Sequence, residues 1–384
     1  MRYAAMVLVC GVLVSAVAGQ PAFGQTVVLT ADMSSTAAAA GNSIRRGALI
    51  AIAEINERGG VLGRKLELRV LDHRGNPARG AHDLRRELAE RQAIAVLGGL
   101  HSSVAVAQID AIQEAGVPFL IPWAAATELT VNGRNLNFVF RLSVSDAFAA
   151  PFLVRSAQRH GCHGIALIAE QSAWGRSNVA AARMTASFET LLFPIGTADF
   201  SSPLRALAEA GTPCVVLVAN PKEGARFIIE HTRHDSLRGK PVFSHWGITG
   251  GSFARETAET LPHANLLFLQ TVSLIQPRNQ RAAARVVERC RALFEDCRGD
   301  GEPLVATGLA QAYDLVHLAV RAAEVEGSLL PARVRDGLER IPEHDGLVKT
   351  YRPPFTPERH EALSADDLFL ARFDRQGRIV PADP

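Results

Sequence analysis

The residues best placed to bind a small molecule are two serines that follow a buried apolar run. Residues 94–97 (IAVL) have the length and β-branched content of a buried parallel strand, and two glycines end it. Ser102 and Ser103 then stand at the predicted N-cap of a helix, before the apolar periodicity of residues 104–115. This order directs free backbone N–H groups and a hydroxyl to one point. It predicts a site for an anion, most simply a carboxylate.

The three tryptophans of the chain all follow predicted strands. Trp123 follows residues 119–122, Trp174 comes five residues after Ala169, and Trp246 follows residues 243–245. Ligands of doubly wound sheets bind beyond the carboxyl ends of the strands. A single tryptophan is more often a core residue, but three in such positions favour apolar walls for a ligand side chain or ring, or stacking on a cation.

Four further polar residues are candidate ligand contacts. Glu170 ends a predicted strand and is the best-placed acid for an ammonium group; the alternatives are a solvated loop carboxylate or an ion pair with Arg176. Asn220 ends another predicted strand. His245 and His101 are candidate donors, although a lone histidine is more often structural or exposed.

The sequence carries no motif of a known catalytic or metal centre. It lacks G-x-S-x-G, H-E-x-x-H, a P-loop, and a G-x-G-x-x-G between a strand and a helix. His160, Cys162 and His163 cluster, as do His231 and His234, but neither group has zinc-site spacing. We therefore predict no cofactor, no metal and no enzymatic activity. A hydrolase or metal-dependent enzyme with a site assembled from distant residues is the remaining enzyme alternative.

Composition and charge indicate a globular protein without a polyanionic partner. The 384 residues are 47% hydrophobic and 21% charged, and a chain of this length predicts two lobes instead of one core. The 41 basic and 39 acidic residues nearly cancel, and no polybasic run occurs. Nucleic acid and anionic membrane surfaces are therefore not expected partners.

The first 24 residues have the pattern of a secretory signal. Arg2 precedes the uncharged, largely apolar residues 4–18, and Ala22-Phe23-Gly24 form a small-x-small cleavage site before Gln25. We therefore expect an extracytoplasmic, periplasmic mature protein. The alternative is an N-terminal anchor helix, although Gln20 and Pro21 end the apolar run early for a membrane span.

Four cysteines remain after the predicted signal. In an oxidising compartment an even number suggests two disulfides, whose connectivity a sequence does not fix. We expect Cys162 to pair with Cys214, because each precedes a predicted strand, and Cys290 to pair with Cys297, provided that a helix ends between them. Buried free thiols are the alternative.

The remaining sequence alternates predicted strands and helices. Residues 27–121 follow the order βαβαβαβ, which predicts a parallel sheet with helices on both faces. After an extended link at residues 138–145, the alternation begins again over residues 165–270. We therefore predict an α/β fold with two doubly wound parallel-sheet lobes. Helices beyond the second set return the chain to the first lobe, and strands at 368–373 and near 379 return it to the second.

The predicted division of the chain has three parts: residues 1–24 as signal peptide, 25–142 with about 272–346 as the first lobe, and 143–271 with about 347–384 as the second. Asn42 and Ser43 are the predicted caps of the first helix.

Several of these segments resemble one protein family. GALIAIAEINERGGVLGRKLELRVLD, AVLGGLHSSVA and PWAAATELT resemble the periplasmic leucine/isoleucine/valine-binding proteins of ABC importers. FVFRLSVSD, SAWGRSN, VLVANPKEGA and SHWGITGG extend the similarity through the second lobe. The resemblance covers nearly the whole chain after the signal. It implies a type I periplasmic binding fold, with lobes joined by a three-strand hinge that close on a solute.

The resemblance also implies roles for individual residues. Ser102 matches the serine that binds the ligand carboxylate, and Ala125 and Thr127 lie in the loop that matches a second carboxylate-binding turn. Trp174 matches an aromatic wall, and Asn220 falls where members have a polar or aromatic contact.

Two positions depart from the pattern of leucine-type binders. Ala40 occupies the place of an aromatic wall, and Trp246 stands near the place of the acid that holds the α-ammonium group. An amino acid would then need another acid, such as Glu170, or the ligand lacks the amine. Recognition of a carboxylate is therefore better supported than recognition of an amino acid.

The sequence thus predicts a solute-binding protein that delivers a small carboxylate, a branched-chain or other amino acid or a related organic acid, to an ABC permease in the inner membrane. We expect a monomer that closes by a hinge between its lobes. The alternative with the same fold is a periplasmic sensor that presents its solute to a membrane signalling protein.

Overall fold

The computed structural model of the protein describes residues 25–298 and 305–382, which form two α/β lobes. The predicted signal sequence lies outside the described residues. The sheet of the first lobe is entirely parallel, in the order β2-β1-β3-β4-β5. Its strands are β1 (Gln25–Ala31), β2 (Leu66–Asp72), β3 (Ala93–Leu97), β4 (Phe119–Ile121) and β5 (Val139–Arg141).

Helices cover both faces of this sheet, as the alternating pattern predicts. The central strand β3 is buried along its whole length, which explains its unbroken apolar sequence. The helices that connect the strands are α1 (Ala38–Glu57), α2 (Pro77–Glu90) and α3 (Ser102–Ala115).

The second lobe repeats this plan. Its sheet has the order β14-β13-β10-β9-β8-β6-β7, and the five strands from β6 to β10 are parallel. These strands are β6 (Ile165–Glu170), β7 (Glu189–Phe193), β8 (Cys214–Val218), β9 (Val242–Ser244) and β10 (Leu266–Gln270). The helices are α4 (Asp146–Arg159), α5 (Ala173–Arg183), α6 (Ser201–Glu209), α7 (Pro221–Arg233) and α8 (Phe253–Glu256).

The chain then returns to the first lobe, where α10 packs along α1 and α11 packs on α10. The last two strands extend the second sheet, with β13 antiparallel to both β10 and β14. The elements of this part are α9 (Gln280–Leu293), α10 (Ala306–Glu326), α11 (Pro331–Leu338), β11 (His344–Asp345), β12 (Thr350–Tyr351), β13 (Phe369–Phe373) and β14 (Ile379–Pro381).

The segment between β12 and β13 packs against the first lobe. The Phe355 ring lies 5.1 Å from that of Phe140 in β5, and the buried Arg141 guanidinium donates to the Glu361 carboxylate. Residues after about 346 are predicted to belong to the second lobe. We propose instead that the last crossing lies close to residue 364, where these contacts end.

Two local predictions are wrong. Residues 138–145, predicted as an extended link, include the strand β5, which pairs with β4 at the edge of the first sheet. Asn42 and Ser43 lie inside α1 instead of capping it. The Asp32 carboxylate accepts hydrogen bonds from the backbone N–H groups of Ser35 and Ala37, so a loop acid organises the start of this helix.

The four cysteines form the two predicted disulfides. Cys162 pairs with Cys214 and Cys290 with Cys297, with Cα–Cα distances of 5.9 and 5.7 Å. The second pair is possible because α9 ends at Leu293, between its two cysteines. Among the described residues, no helix combines the length and the apolar character that a bilayer span requires.

Candidate functional site

The carboxyl ends of the strands of both lobes face two neighbouring cavities. The inner cavity has a volume of about 10 Å³ and the outer one about 180 Å³. They share the side chains of Leu100, Ser102, Trp174 and Asn220. The inner cavity is lined by residues of both lobes: Leu100, Ser102, Trp123, Ala125, Trp174, Asn220, Trp246 and Gly247.

Ser102 is held as a hydrogen-bond donor. Its Oγ accepts hydrogen bonds from the backbone N–H groups of Ala125 and Ala126, both at 3.2 Å. These two bonds occupy the two lone pairs of the hydroxyl, so its own proton is left for another acceptor. The predicted N-cap role of Ser102 and Ser103 is wrong, because His101 is the N-cap residue and Ser102 is the first residue of α3.

Thr127, a predicted ligand contact, joins the two lobes instead of lining either cavity. Its backbone N–H donates to the Ser177 Oγ of α5 at 2.9 Å, and the Ser177 hydroxyl lies 3.3 Å from Thr127 Oγ1. The neighbouring Ala125 does line the inner cavity. The turn therefore has two roles: Ala125 lines the inner cavity, and Thr127 contacts the second lobe.

All three tryptophans meet at the inner cavity, and glycines make room for two of them. A Cβ atom at Gly247 would lie 2.4 Å from Trp174 Cη2, and one at Gly308 would lie 2.4 Å from Trp123 Cε3. Gly308 also has a φ of +80°, so both its backbone conformation and the indole require glycine. The indole nitrogens of Trp123 and Trp174 are buried and have no hydrogen-bond partner among the described residues.

Glu170 lines the outer cavity from the second lobe. Its carboxylate accepts hydrogen bonds from Ser172 Oγ at 2.6 Å and from Asn220 Nδ2 at 2.7 Å. Burial raises the pKa of Glu170 to about 7, although both bonds and the nearby His101 act in the opposite direction. Neither alternative for this residue applies, because Glu170 is only 4% exposed and its polar partners are Ser172 and Asn220.

His101 lines the same cavity from the first lobe. Its Nε2 lies 3.4 Å from Asp32 Oδ2. Burial alone would raise the pKa of Asp32, but hydrogen bonds from His101, Ser35 and Ala37 outweigh it and hold that pKa well below its usual range. An ionised Asp32 therefore orients His101 at the mouth of the site.

His245 lines neither cavity, contrary to the prediction. It is fully buried behind Trp174, with the two rings perpendicular and their centroids 5.0 Å apart. Its Nε2 lies 3.2 Å from an oxygen of Asp146 in α4. His245 therefore supports Trp174 from behind.

Sequence reasoning missed the charged residues of the outer cavity, including Lys222, Arg74 and Glu223. Lys222 is the second residue of α7, where a cation opposes the helix dipole, and it has no hydrogen-bond or ion-pair partner among the described residues. Its place in the first turn of the helix that follows β8 is the signal that could have identified it.

Ala40, the first departure from the leucine-type pattern, is buried beside the site. A Cβ atom at Gly250 of the second lobe would lie 3.2 Å from Ala40 Cβ and 3.2 Å from Trp123 Cζ2. The turn at Gly250 thus approaches both side chains in this closed arrangement.

No group of three or more His, Cys, Asp or Glu residues within 25–298 and 305–382 is arranged to hold a metal ion.

Comparison with known sequences identifies one family. The family model for periplasmic binding proteins matches residues 24–378. The chain is 34% identical over 108 residues to the Leu/Ile/Val-binding protein BraC3 of Rhizobium johnstonii, an alignment that covers 28% of this chain and 29% of that protein. It is 27% identical over 251 residues to a Leu/Ile/Val-binding protein homologue of Brucella melitensis, covering 61% of this chain and 66% of the relative. Both alignments span less than two thirds of the relatives' own length.

Solved structures share the fold over almost the whole chain. A type 1 periplasmic binding protein of Bordetella pertussis superposes with a TM-score of 0.84 at 19% identity, covering 94% of this chain and all of that one. A branched-chain amino acid transporter substrate-binding protein of Streptococcus pneumoniae in complex with isoleucine has a TM-score of 0.77 at 20% identity, covering 94% and 100%. A solute-binding protein of R. palustris in complex with benzoate has a TM-score of 0.77 at 17% identity, covering 94% and 95%.

Proposed function

The chain belongs to the periplasmic binding protein family with the type I fold, and from this premise we propose that it is the extracytoplasmic solute-binding protein of an ABC importer for a small carboxylate. The family consists of binding proteins and not of enzymes, in agreement with the prediction from the sequence. Under this proposal residues 1–24 direct export to the periplasm, and an inner-membrane permease receives the solute from the monomeric protein.

The observation that carries the proposal is the state of the Ser102 hydroxyl. Two backbone N–H groups occupy its lone pairs, so it offers only a proton to a ligand. It stands in the first turn of α3, where the helix dipole favours negative charge. An acceptor with negative charge, such as a carboxylate oxygen, satisfies both features.

The charged groups around the outer cavity favour an acid that lacks an α-ammonium group. Both Glu170 oxygens already accept hydrogen bonds, and burial favours the neutral carboxyl group. Lys222 and Arg74 add two positive charges at the same cavity, against the negative charge of Glu223, whose Oε1 already accepts a hydrogen bond from the Gly196 N–H. Among the structural relatives, one complex contains isoleucine and another contains benzoate. We therefore place amine-free carboxylates first and branched-chain amino acids second.

The proposed mechanism is closure of the lobes around the solute. Ser102 and Trp123 belong to the first lobe, whereas Trp174 and Asn220 belong to the second, and all four line the inner cavity. A ligand that contacts both groups stabilises the closed state, whereas a ligand held by one lobe does not change the equilibrium. Two direct contacts between the lobes, Thr127 with Ser177 and Thr249 with Thr307, add to closure.

A ligand screen with the mature chain tests the proposal. Benzoate, 4-hydroxybenzoate, isoleucine and leucine are compared by thermal unfolding, and each hit is confirmed by calorimetry. At least one carboxylate should raise the unfolding temperature and change the fluorescence of the three tryptophans at the inner cavity. A matched amide or alcohol should have little effect. Equal binding of benzoate and benzyl alcohol, or no binding of any carboxylate in an extended panel of organic acids, would contradict the proposal.

A further inference from the structure

Two side chains that line the inner cavity, one from each lobe, have buried indole N–H groups without a hydrogen-bond partner among the described residues. Trp123 is 1% exposed and Trp174 is 7% exposed, and the indole nitrogen of each is buried without a hydrogen bond among the described residues. A buried donor without an acceptor lowers stability, and native proteins leave few such groups. Because both side chains line one cavity, their unsatisfied donors point to an acceptor that arrives with a ligand.

Glycine residues pack against the six-membered ring of each indole. Gly247 approaches Trp174 at Cη2 and Cζ3, which lie on the six-membered ring away from the nitrogen. Gly308 approaches Trp123 at Cε3 and Cζ3, also on the six-membered ring. A Cβ atom at Gly250 would also lie 3.2 Å from Trp123 Cζ2, so three glycines pack on the six-membered rings, and the N–H donor of each side chain belongs to the other ring.

Ser102 supplies a third donor to the same cavity, because its lone pairs are occupied by backbone N–H groups. The cavity holds about 10 Å³, the space of a single water-sized group. One oxygen atom fits this space and accepts from several donors at once. The adjoining outer cavity, of about 180 Å³, holds the rest of the molecule.

We infer that Trp123 and Trp174 are specificity-determining hydrogen-bond donors, and that their indole N–H groups bind the same acceptor end of the ligand as Ser102. The inference rests on the proposed function, since it assigns two further contacts to the bound carboxylate. It also changes the role of the tryptophans from apolar walls to polar contacts. Because the donors come from both lobes, one carboxylate group stabilises closure directly. An ammonium group at this end would meet only donors in the three contacts and is rejected.

Nuclear magnetic resonance of the indole groups tests this inference in the unaltered mature chain. The protein contains three tryptophans, so ¹⁵N labelling gives three indole signals, which single Trp→Phe variants assign. Benzoate and isoleucine are the probes, added separately to saturation. With the probe that binds, the Trp123 and Trp174 indole protons should move downfield and exchange with solvent at least 10-fold more slowly. Binding without these changes would overturn the inference and leave the proposed function intact.

Replacing the indole N–H by an isosteric group gives a second test, because affinity should change only if the N–H acts as a donor and not if the ring serves only for packing. Benzothienylalanine replaces the indole N–H by sulfur and nearly preserves the ring size, and is introduced at position 123 or at position 174. We expect at least 10-fold weaker binding of the probe for each replacement, with an unfolding temperature of the free protein that is unchanged or higher, since a buried unpaired donor is removed. Unchanged affinity at both positions would overturn the inference. If no carboxylate binds the wild-type chain, the proposed function fails first, and the inference fails with it.

Discussion

Ser102 combines two tasks that a substitution can separate. Its Oγ fixes the Ala125–Ala126 turn by accepting two backbone hydrogen bonds, and its proton faces the site. Ser143 holds the same turn, donating to the Ala124 carbonyl at 2.7 Å, but it lines neither cavity. Affinity should therefore depend on Ser102, whereas the stability of the turn should depend on both serines.

Ser102→Ala should weaken binding of a carboxylate by about 1–3 kcal/mol, because a charge-assisted hydrogen bond is lost. It should also lower the free energy of unfolding, since two buried N–H groups lose their acceptor. Ser143→Ala should lower that stability with less than a twofold change in affinity. Calorimetry and urea unfolding measure both quantities. Equal affinity of Ser102→Ala and the wild type would remove Ser102 from the site.

Glu170 should make stability depend on pH. The ordinary pKa of a glutamate is 4.5, and burial raises that of Glu170 to about 7 in the folded protein. Between these pH values the folded chain binds one more proton than the unfolded chain, so its stability falls as pH rises and stays lower above 7.

Glu170→Gln replaces the titrating carboxyl group by a neutral amide, whose oxygen still accepts the hydrogen bond from Asn220. At pH 8 the variant should be more stable than the wild type by at most about 3 kcal/mol, and the difference should vanish near pH 4. Carboxylate affinity of the wild type should rise from pH 8 to pH 6, because Glu170 loses its negative charge, and the variant should lack this component. Urea unfolding and calorimetry across this range measure both effects. The exposed Glu209→Gln is the control; an identical pH profile for the wild type and Glu170→Gln would refute the assignment.

The types of the residues and their positions after predicted strands were enough to predict one part of the site. This part depends only on the order of the strands along the chain. Ser102, Trp123, Trp174 and Trp246 meet at one cavity because the carboxyl ends of parallel strands share one edge. The position of His245 was not predictable, because whether a side chain faces the cavity or the core depends on the rotation of a short strand end. How these residues contact a ligand stays a prediction.

At the scale of elements, the Cys162–Cys214 disulfide joins the end of α4 to the start of β8. Its cysteines are separated by 52 residues, whereas those of Cys290–Cys297 are separated by 7. A longer closed loop restricts the unfolded chain more strongly. The first disulfide should therefore contribute more to stability than the second.

Replacing Cys162 and Cys214 by alanine should lower the free energy of unfolding by about 4 kcal/mol, and replacing the second pair should lower it by about 2 kcal/mol. Urea unfolding of both double variants measures the difference. The second pair serves as the matched control, since both changes remove two sulfur atoms and one bond. Equal losses would show that loop length does not determine these contributions.

The predictability of the elements depends on whether their signal is local. β3 is an unbroken apolar run and the long helix α10 repeats its apolar pattern over several turns, so the sequence identifies both elements. β4 and β9 are as short as β5 and were predicted, but β5 is identified by its pairing with β4, and the start of α1 depends on Asp32, a residue outside the helix. The pairing of β5 and the distant acceptor at the start of α1 are tertiary contacts that a local pattern does not contain.

At the scale of the molecule, closure brings the surfaces of the two lobes into close contact, and Gly250 lies at this contact. It belongs to the glycine-rich turn after β9, and a Cβ atom there would lie 3.1 Å from Leu100 Cδ1 and 3.2 Å from Ala40 Cβ in the first lobe. The adjacent Gly251 meets Pro221 of its own lobe at 3.1 Å. The two glycines therefore offer a comparison between a contact across the cleft and one within a lobe.

Gly250→Val should disturb closure and leave each lobe folded. Overpacking of this kind costs about 1–3 kcal/mol, which corresponds to roughly 5- to 150-fold weaker ligand affinity when it acts only on the closed state. The bound variant should also have a larger radius of gyration than the bound wild type in small-angle X-ray scattering. Gly251→Val carries the same extra atoms but acts equally on the open and closed states, so its affinity should change less than threefold. A normal affinity of Gly250→Val would show that the lobes do not need this contact to hold the ligand.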